Sequence, residues 1–265
     1  MTTTTEPVGV LLRRWRERRR RSQLDVSLAA EVSTRHLSCV ETGRAAPSRD
    51  MIRRLCDELD VPLRERNALY LAGGFAPVHA ERSFTDLGVA RAAVEAVLTG
   101  HEPNPALAVN VRWELVAANR AVAPFFGDVD FGTEQPFNVL KATLHPDGLA
   151  GRIINLAQWR AHVLRRVRRQ LERTADAGLA ELLAELNSYP SPASAAGGSA
   201  AAVDDAAHDL VVPLRLATDY GELALLYTTT VFGSPRDVTL DEIAVETFFP
   251  ANPGTAALLR AAVSR

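Results

Sequence analysis

Hydrophobic residues in the first third of the chain recur at the spacing of amphipathic helices. Residues 8–21 carry one such stripe, and four more helices are expected after Ser22, after Ser33, after Ser48 and over 63–72. The three serines precede apolar runs, where their hydroxyls can cap the first turn of a helix. The pattern predicts a mainly α, five-helix domain over residues 8–75, preceded by a Thr-rich tail at 1–7 that we expect to be disordered.

The rest of the chain alternates between helical and strand-like patterns. After a linker at 76–86, strands are expected at 106–110, 113–116, 209–217 and 222–232. Helices are expected at 87–99, 117–126, 152–174, 178–187, 240–249 and 255–263. Residues 190–205 are rich in Ala, Ser, Gly and Pro, which predicts a flexible surface loop. Residues 87–265 are therefore expected to form a second domain of the α+β class.

Charge is distributed unevenly along the chain. The net charge of the 265 residues is −2, yet residues 10–54 carry 12 arginines against five acidic residues. A basic block on a small domain indicates a polyanionic partner such as DNA. A solvated helix face would give the same composition, so charge alone leaves both interpretations open.

The cysteine, histidine and hydropathy patterns argue against several classes of protein. Cys39 and Cys56 are too few for a disulfide framework, and no close Cys/His cluster suits a metal. The sequence shows no signal-peptide pattern and no apolar run of about 18 residues, so we expect a cytoplasmic protein without a membrane span. The six histidines are scattered, and motifs for nucleotides or nucleophiles are absent, which argues against an enzyme and against a bound cofactor.

The segment Ser22–Arg44 resembles the helix-turn-helix of XRE-type repressors. The shared elements are Ser22-Gln23, Val32-Ser33, Glu41, Gly43 and Pro47-Ser48. The resemblance implies that Gln23 meets a DNA phosphate and that Arg16 of the first helix forms an ion pair with Glu41. In this motif the second helix enters the major groove and reads bases.

The expected recognition helix begins after Ser33, with Leu37 and Val40 facing inward. Arg35 faces outward and is the best candidate for base readout, because a guanidinium can make two hydrogen bonds to guanine. Hydroxyls in this helix can bond a base or a phosphate, and the arginines beyond it are expected on phosphates. The predicted DNA-binding residues are Gln23, Ser33, Thr34, Arg35, Ser38, Arg44 and Arg49.

The turn before this helix places Glu31 where the motif usually carries glycine. Glycine is favoured there because the turn needs a positive φ. A side chain in the left-handed region costs about 1 kcal/mol. We expect a mildly strained turn at Glu31, with the motif retained.

Much of the remaining chain resembles the MmyB-like family of transcription regulators. The matching stretches are GHEPNPAL at 100–107, WELVAAN at 113–119, LHPDGLAGRIINLAQW at 144–159 and TTTVFGSPRDVTLDEIAVETFFP at 228–250, with STRHLS at 33–38 and LRERNALYLAGGFAP at 63–77 in the first half. The resemblance implies a PAS-like C-terminal domain that senses a small molecule, with fatty-acyl chains among the candidate ligands.

Seven residues of the second domain are candidates for binding such a ligand. A fatty acid needs an apolar tunnel and one or two polar groups for its carboxylate. The head-group candidates are His145, Arg152 and Asn155. The tunnel candidates are Trp113, Phe125 and Trp159. Asn119, the seventh candidate, lies between Trp113 and Phe125 in the sequence. Each has an ordinary structural alternative: a tryptophan in the core, a histidine that holds a turn, an arginine in a surface ion pair.

These patterns predict a DNA-binding transcriptional regulator that is a homodimer and responds to a small amphipathic ligand. The dimer would place two recognition helices about 34 Å apart, one turn of DNA. Two alternatives stay open. The second domain could serve only dimerisation or protein docking, which a packed core without a cavity would favour. An enzyme could be fused to the regulator, which a polar pocket with converging titratable groups would favour.

Overall fold

The computed structural model of the protein describes residues 6–126, 136–190 and 211–263. The chain divides into two compact units. The first unit comprises residues 1–83 together with 234–241, and the second comprises residues 84–233 and 242–265. The predicted tail at 1–7 and the predicted loop at 190–205 lie almost wholly outside the described residues.

The first unit contains the five helices that the apolar pattern predicts. They are α1 Val8–Arg18, α2 Gln23–Ala29, α3 Thr34–Glu41, α4 Arg49–Glu58 and α5 Leu63–Ala72. Ser22, Ser33 and Ser48 are the N-caps of α2, α3 and α4, and each hydroxyl accepts a hydrogen bond from the amide three residues later. Helix α1 ends earlier than predicted, before Arg20, whose positive φ of 54° turns the chain towards Ser22.

Helix α3 is held against α1 at a glycine. A Cβ added to Gly9 would lie 2.0 Å from the carbonyl oxygen of Val40, so only glycine permits this approach. Leu37 and Val40 are buried beneath the helix, as predicted, alongside Leu12 and Trp15 of α1. The close approach and this shared core fix which face of α3 is left exposed.

The second unit is built on one antiparallel sheet of five strands, in the order β2-β1-β5-β4-β3. The strands are β1 Ala106–Val109, β2 Leu115–Ala118, β3 Leu214–Thr218, β4 Gly221–Val231 and β5 Ala244–Pro250. The helices that follow α5 along the chain are α6 Val89–Gly100, α7 Ala123–Phe126, α8 Val139–Leu144, α9 Leu156–Thr174, α10 Ala177–Ser188, α11 Val238–Glu242 and α12 Pro253–Val263. The core combines alternate strand residues with the apolar faces of α8, α9, α10 and α12. The fold class is thus the predicted one, a helical domain followed by an α+β domain.

The central strand β5 is the main error of the sequence prediction, which expects a helix over 240–249. Only Val238–Glu242 is helical, and Ala244–Pro250 pairs with β1 on one side and β4 on the other. Val245, Glu246 and Thr247 are buried in succession, so the strand lacks the alternation that would reveal it. Likewise, residues 117 and 118 extend β2 instead of starting a helix, because they pair with β1.

Residues 234–241 belong to the first unit although they connect two strands of the second. The amide of Val238 donates to the carbonyl of Ala80 at 2.8 Å, and the hydroxyl of Thr239 donates to the carbonyl of Arg82 at 2.6 Å. Asp241 Oδ2 accepts the amide of Leu63 at 3.2 Å. Because α5 begins after a proline and has no cap of its own, Asp241 supplies the missing acceptor.

No described helix is long and apolar enough to cross a membrane.

The turn between α2 and α3 places Glu31 at a φ of 53°, as the sequence predicts. We expect Glu31→Gly to raise the free energy of unfolding of the first unit by up to about 1 kcal/mol, because glycine adopts this conformation without strain. Ala29→Gly is the matched control, since Ala29 is exposed but helical, and it should lower stability by about 0.5–1 kcal/mol. Urea denaturation measures both, and a loss of stability in Glu31→Gly would contradict strain at this turn.

Candidate functional site

A buried ionic network joins the first three helices. Arg16 donates to Glu41 from Nε at 2.7 Å and from Nη2 at 2.8 Å, and Gln23 Nε2 donates to the same carboxylate at 2.8 Å. The Glu41 side chain is only 2% exposed. The hydrogen bond that Arg16 donates to Glu41 raises the pKa of Arg16 above its ordinary value. The ion pair implied by the XRE resemblance is therefore confirmed, and it fixes the end of α3 relative to α1 and α2.

The outward face of α3 carries the predicted base-reading residue. Arg35 is exposed and makes no hydrogen bond or ion pair within the described residues. The neighbouring hydroxyls have internal partners, since Ser33 caps the helix and Thr34 Oγ1 lies 2.6 Å from Ser27 Oγ. Ser38 is half-buried on the same helix. Arg35 is thus the long cationic side chain that α3 presents to solvent.

The remaining predicted DNA-binding residues lie at helix termini. Gln23 is the first residue of α2, where its amide is oriented by Glu41. Arg49 is the first residue of α4, with its guanidinium 5.8 Å from the ring centre of Tyr70. Arg44 is exposed just beyond α3. The contacts of these residues with DNA stay predictions.

The arginine run at residues 13–21 is largely engaged within the first unit. Arg13 pairs with Glu17 at 2.7 Å, and Arg21 Nη1 lies 3.3 Å from Glu58 Oε2. Arg19 donates to the carbonyl of Leu59 at 2.7 Å. These contacts favour the interpretation of this run as a helix face with internal partners over direct phosphate contact.

The second unit contains a cleft between the sheet and helices α8 and α9. It is lined by aromatic and aliphatic side chains with a few polar groups, namely Leu107, Trp113, Val139, Leu140, Thr143, Trp159, His162, Val163, Arg166, Leu214, Tyr227, Glu246 and Phe248. The cavity volume is about 50 Å³. A mainly apolar cleft with few converging polar groups is typical of a small-molecule site.

Arg166 lies at the polar end of this cleft and is neutralised by a carboxylate. It donates to Glu246 Oε2 from Nη1 at 2.9 Å and to Oε1 from Nη2 at 2.6 Å. The guanidinium carbon lies 4.4 Å from the ring centre of Trp113 and 5.0 Å from that of Tyr227. The ion pair links α9 to β5, and the two rings cover the cation.

Trp113 occupies a strained position beside Arg166. Its φ is 67°, which is rare for a bulky residue and costs about 1–3 kcal/mol. The indole Nε1–H donates to Gln170 Oε1 at 2.8 Å, and Gln170 Nε2 donates to the carbonyl of Val111 at 2.8 Å. These bonds hold the indole over the guanidinium in spite of the backbone strain.

His162 and Tyr227 form a second polar group in the cleft. The ring Nε2 of His162 is hydrogen-bonded to the hydroxyl of Tyr227. Burial lowers the pKa of His162, and the charges of Arg166, Arg165 and Arg169 lower it further. Burial likewise raises the pKa of Tyr227. Both groups are therefore uncharged near neutral pH.

The structure brings two of the seven predicted ligand-binding residues, Trp113 and Trp159, into the lining of this cleft. Phe125 lies in α7, and its side chain is outside the described residues. The other four predicted residues do not line the cleft, and their side chains instead contact the backbone or neighbouring side chains. They are Asn119, His145, Arg152 and Asn155.

Asn119 donates from Nδ2 to the carbonyls of Leu98 and Asn104 and accepts the amide of Ala106, which clamps the start of β1. Asn155 donates to the carbonyl of Pro213 and accepts the amide of Arg215.

Two further predicted head-group residues hold local structure. Arg152 Nε donates to the carbonyl of Ala217 at 3.2 Å. His145 accepts the amide of Asp147 at 3.2 Å and packs edge-on against Tyr189. These contacts agree with the ordinary alternatives, a turn and a surface contact.

Sequence reasoning missed the polar residues of the cleft. Trp159, His162 and Arg166 are spaced i, i+3 and i+7 along α9, so the helical period could have placed them on one face. Glu246 and Tyr227 gave no such signal, because their approach to α9 depends on long-range strand pairing.

Comparison with known proteins identifies the class of both units. A family model described as the MmyB-like transcription regulator ligand binding domain matches residues 90–262, and a helix-turn-helix domain model matches residues 7–69. The two domains on one chain define a transcription regulator with a DNA-binding unit and a ligand-sensing unit, and neither family is enzymatic. The chain belongs to the MmyB-like transcription regulators.

Comparison with curated proteins and with solved structures does not extend this classification. No curated protein matches the chain. A solved structure titled "Structure of an RNA-binding Light-Oxygen-Voltage Receptor" is similar at 11% identity with a TM-score of 0.25, over 99% of this chain. The chain spans 63% of the length of that receptor. At this TM-score the likeness carries no argument. Among the described residues, no cluster of His, Cys, Asp and Glu could hold a metal ion.

Proposed function

We propose that this chain is a cytoplasmic, homodimeric regulator that binds operator DNA through α3 and a small amphipathic molecule in the cleft beside α9. The observation that carries the sensor half of the proposal is the cleft itself, because a domain used only for docking or dimerisation needs no such space. The fatty-acyl ligand implied by the family resemblance stays a prediction. Its acyl chain would lie among the apolar lining residues, and the catalytic alternative gains no support from the neutral polar groups.

The DNA half of the proposal assigns distinct tasks to two arginines. Arg35, on the exposed face of α3, reads a guanine through two hydrogen bonds. Arg44, beyond the end of α3, contacts a phosphate and carries no sequence information. The other predicted residues position the unit on the sugar-phosphate backbone of the DNA. They are Gln23, Ser33, Thr34, Ser38 and Arg49. In a dimer, two copies of α3 enter successive major grooves about 34 Å apart.

Arg35→Ala and Arg44→Ala form a matched pair that tests these tasks. Operators are first selected from random DNA, and affinities are then measured on variants of the selected site at several salt concentrations. Arg35→Ala should reduce discrimination at one base pair by about 1–3 kcal/mol. Arg44→Ala should weaken binding to all sequences alike and lower the salt slope by about 1. Unchanged discrimination in the first variant, or a sequence-selective loss in the second, would contradict the assignment.

Residues 234–241 are the proposed route from the cleft to the DNA-binding unit. The strand before this segment, β4, contributes Tyr227 to the cleft, and the strand after it, β5, contributes Glu246 and Phe248. The segment itself is anchored in the first unit by Val238, Thr239 and Asp241. A ligand that shifts β4 relative to β5 therefore displaces residues on which α5 depends, and the two binding events become coupled.

The double variant Thr239→Val/Asp241→Ala tests this route. In the unaltered chain, an eight-carbon amphiphile (octanoate or octanamide) should change operator affinity by about 5-fold or more, in either direction. The variant should keep its affinity for the amphiphile and its affinity for the operator. The amphiphile should no longer change operator affinity, because the two side-chain anchors are removed. Thr218→Val/Asp219→Ala, in the β3–β4 turn, is the matched control and should keep the ratio. An unchanged ratio in the first variant would refute the route.

A further inference from the structure

The head group of the ligand can be inferred from the charges and hydrogen bonds of the cleft, given the ligand-binding function proposed above. We propose that the cleft selects an electrically neutral amphiphile, such as a fatty amide or ester, over a free carboxylate, and that the ligand's acceptor bonds the indole Nε1–H of Trp159. Three observations carry this proposal.

The first observation is that the charge of the cleft is already balanced. Among the described residues that line it, Arg166 is the one arginine or lysine and Glu246 the one carboxylate. Both terminal nitrogens of Arg166 donate to Glu246, and Nη2 also donates to Thr229 Oγ1 at 2.6 Å. The Glu246 side chain is 4% exposed. A ligand carboxylate that displaced it would leave a buried anion without its partner, which is strongly unfavourable.

The second observation is that the histidine of the cleft cannot supply the missing cation. His162 is half-buried, hydrogen-bonded to the hydroxyl of Tyr227, and stacked at 5.6 Å on the ring of Trp159. The arginines of α9 nearby, Arg165, Arg166 and Arg169, repel a second positive charge. A carboxylate entering the cleft therefore meets no unpaired positive charge among the described lining residues.

The third observation is a donor without a partner on a side chain that lines the cleft. Trp159 is 6% exposed, and its buried Nε1 has no acceptor among the described residues. The other indole of the lining, that of Trp113, is satisfied by Gln170. A buried N–H without a partner is unfavourable, so a ligand oxygen that accepts this bond is stabilised. A neutral carbonyl provides the acceptor without bringing a charge.

The test compares two probes that share a chain and differ in the head group, octanamide and octanoate. The cavity has room for roughly four water molecules at about 10–15 Å³ each, so its walls must move apart to admit the eight-carbon chain of either probe. Because this cost is the same for both probes, the comparison isolates the effect of the head group. Calorimetric titration of the full chain near neutral pH should show octanamide binding at least about tenfold more tightly, a difference of about 1.4 kcal/mol. Octanoate binding as tightly as octanamide, or more tightly, would overturn the inference and leave the proposed function standing. Binding of neither probe would overturn both.

Two variants, each with a matched control, sharpen the test. Glu246→Gln keeps the side-chain shape and frees the charge of Arg166, so octanoate should gain about tenfold or more while octanamide changes little. Glu185→Gln removes a carboxylate from α10 outside the cleft and should leave the preference unchanged. Trp159→Phe should weaken octanamide several-fold, whereas Trp15→Phe, in the other unit, should not. Circular dichroism establishes that each variant is folded. An affinity for octanoate that does not change in Glu246→Gln would also contradict the proposal.

Discussion

The ion pair between Arg166 and Glu246 is the constraint on which the ligand-binding unit depends. It ties the long helix α9 to the central strand β5 at the polar end of the cleft. The rings of Trp113 and Tyr227 lie against the guanidinium, and the Glu246 side chain is buried. Breaking such a pair leaves an uncompensated buried charge, at a cost of about 3–5 kcal/mol. The same pair therefore shapes the cleft and determines which head groups it can hold.

An analogous pair organises the first unit. Arg16 and Glu41, with Gln23, fix three helices against one another, and Gly9 allows α1 to approach the end of α3. The cations of α1 mostly face acidic side chains or carbonyls of their own unit. Arg35, by contrast, is oriented outward without an internal partner in the described residues. The electrostatics of the unit thus separate the arginines that hold the fold from those available to a duplex.

Local signals in the sequence were sufficient for the five N-terminal helices of the first unit. Serine caps, apolar stripes and the strained turn at Glu31 depend on contacts within a few residues, and the structure shows all three. The second unit depends on pairing between distant segments. The sequence of strand β5 predicts a helix, because successive residues of the strand are buried and the alternating pattern is lost. Residues 234–241 carry no local signal that they pack in the first unit while they connect two strands of the second. Asn119 and Asn155 were candidates for ligand binding, but their side-chain amides bond backbone groups at the starts of β1 and β3.

The indole signals of the full chain provide the most direct measurement of the central claim, that the cleft is the ligand site. The chain has three tryptophans, so three indole N–H resonances are expected in a ¹H–¹⁵N spectrum, assignable through single Trp→Phe variants. On titration with octanamide, the Trp159 resonance should move to lower field as its N–H gains an acceptor, while that of Trp15 in the other unit stays in place. A Trp159 resonance that does not move when octanamide is bound at saturation would contradict the account.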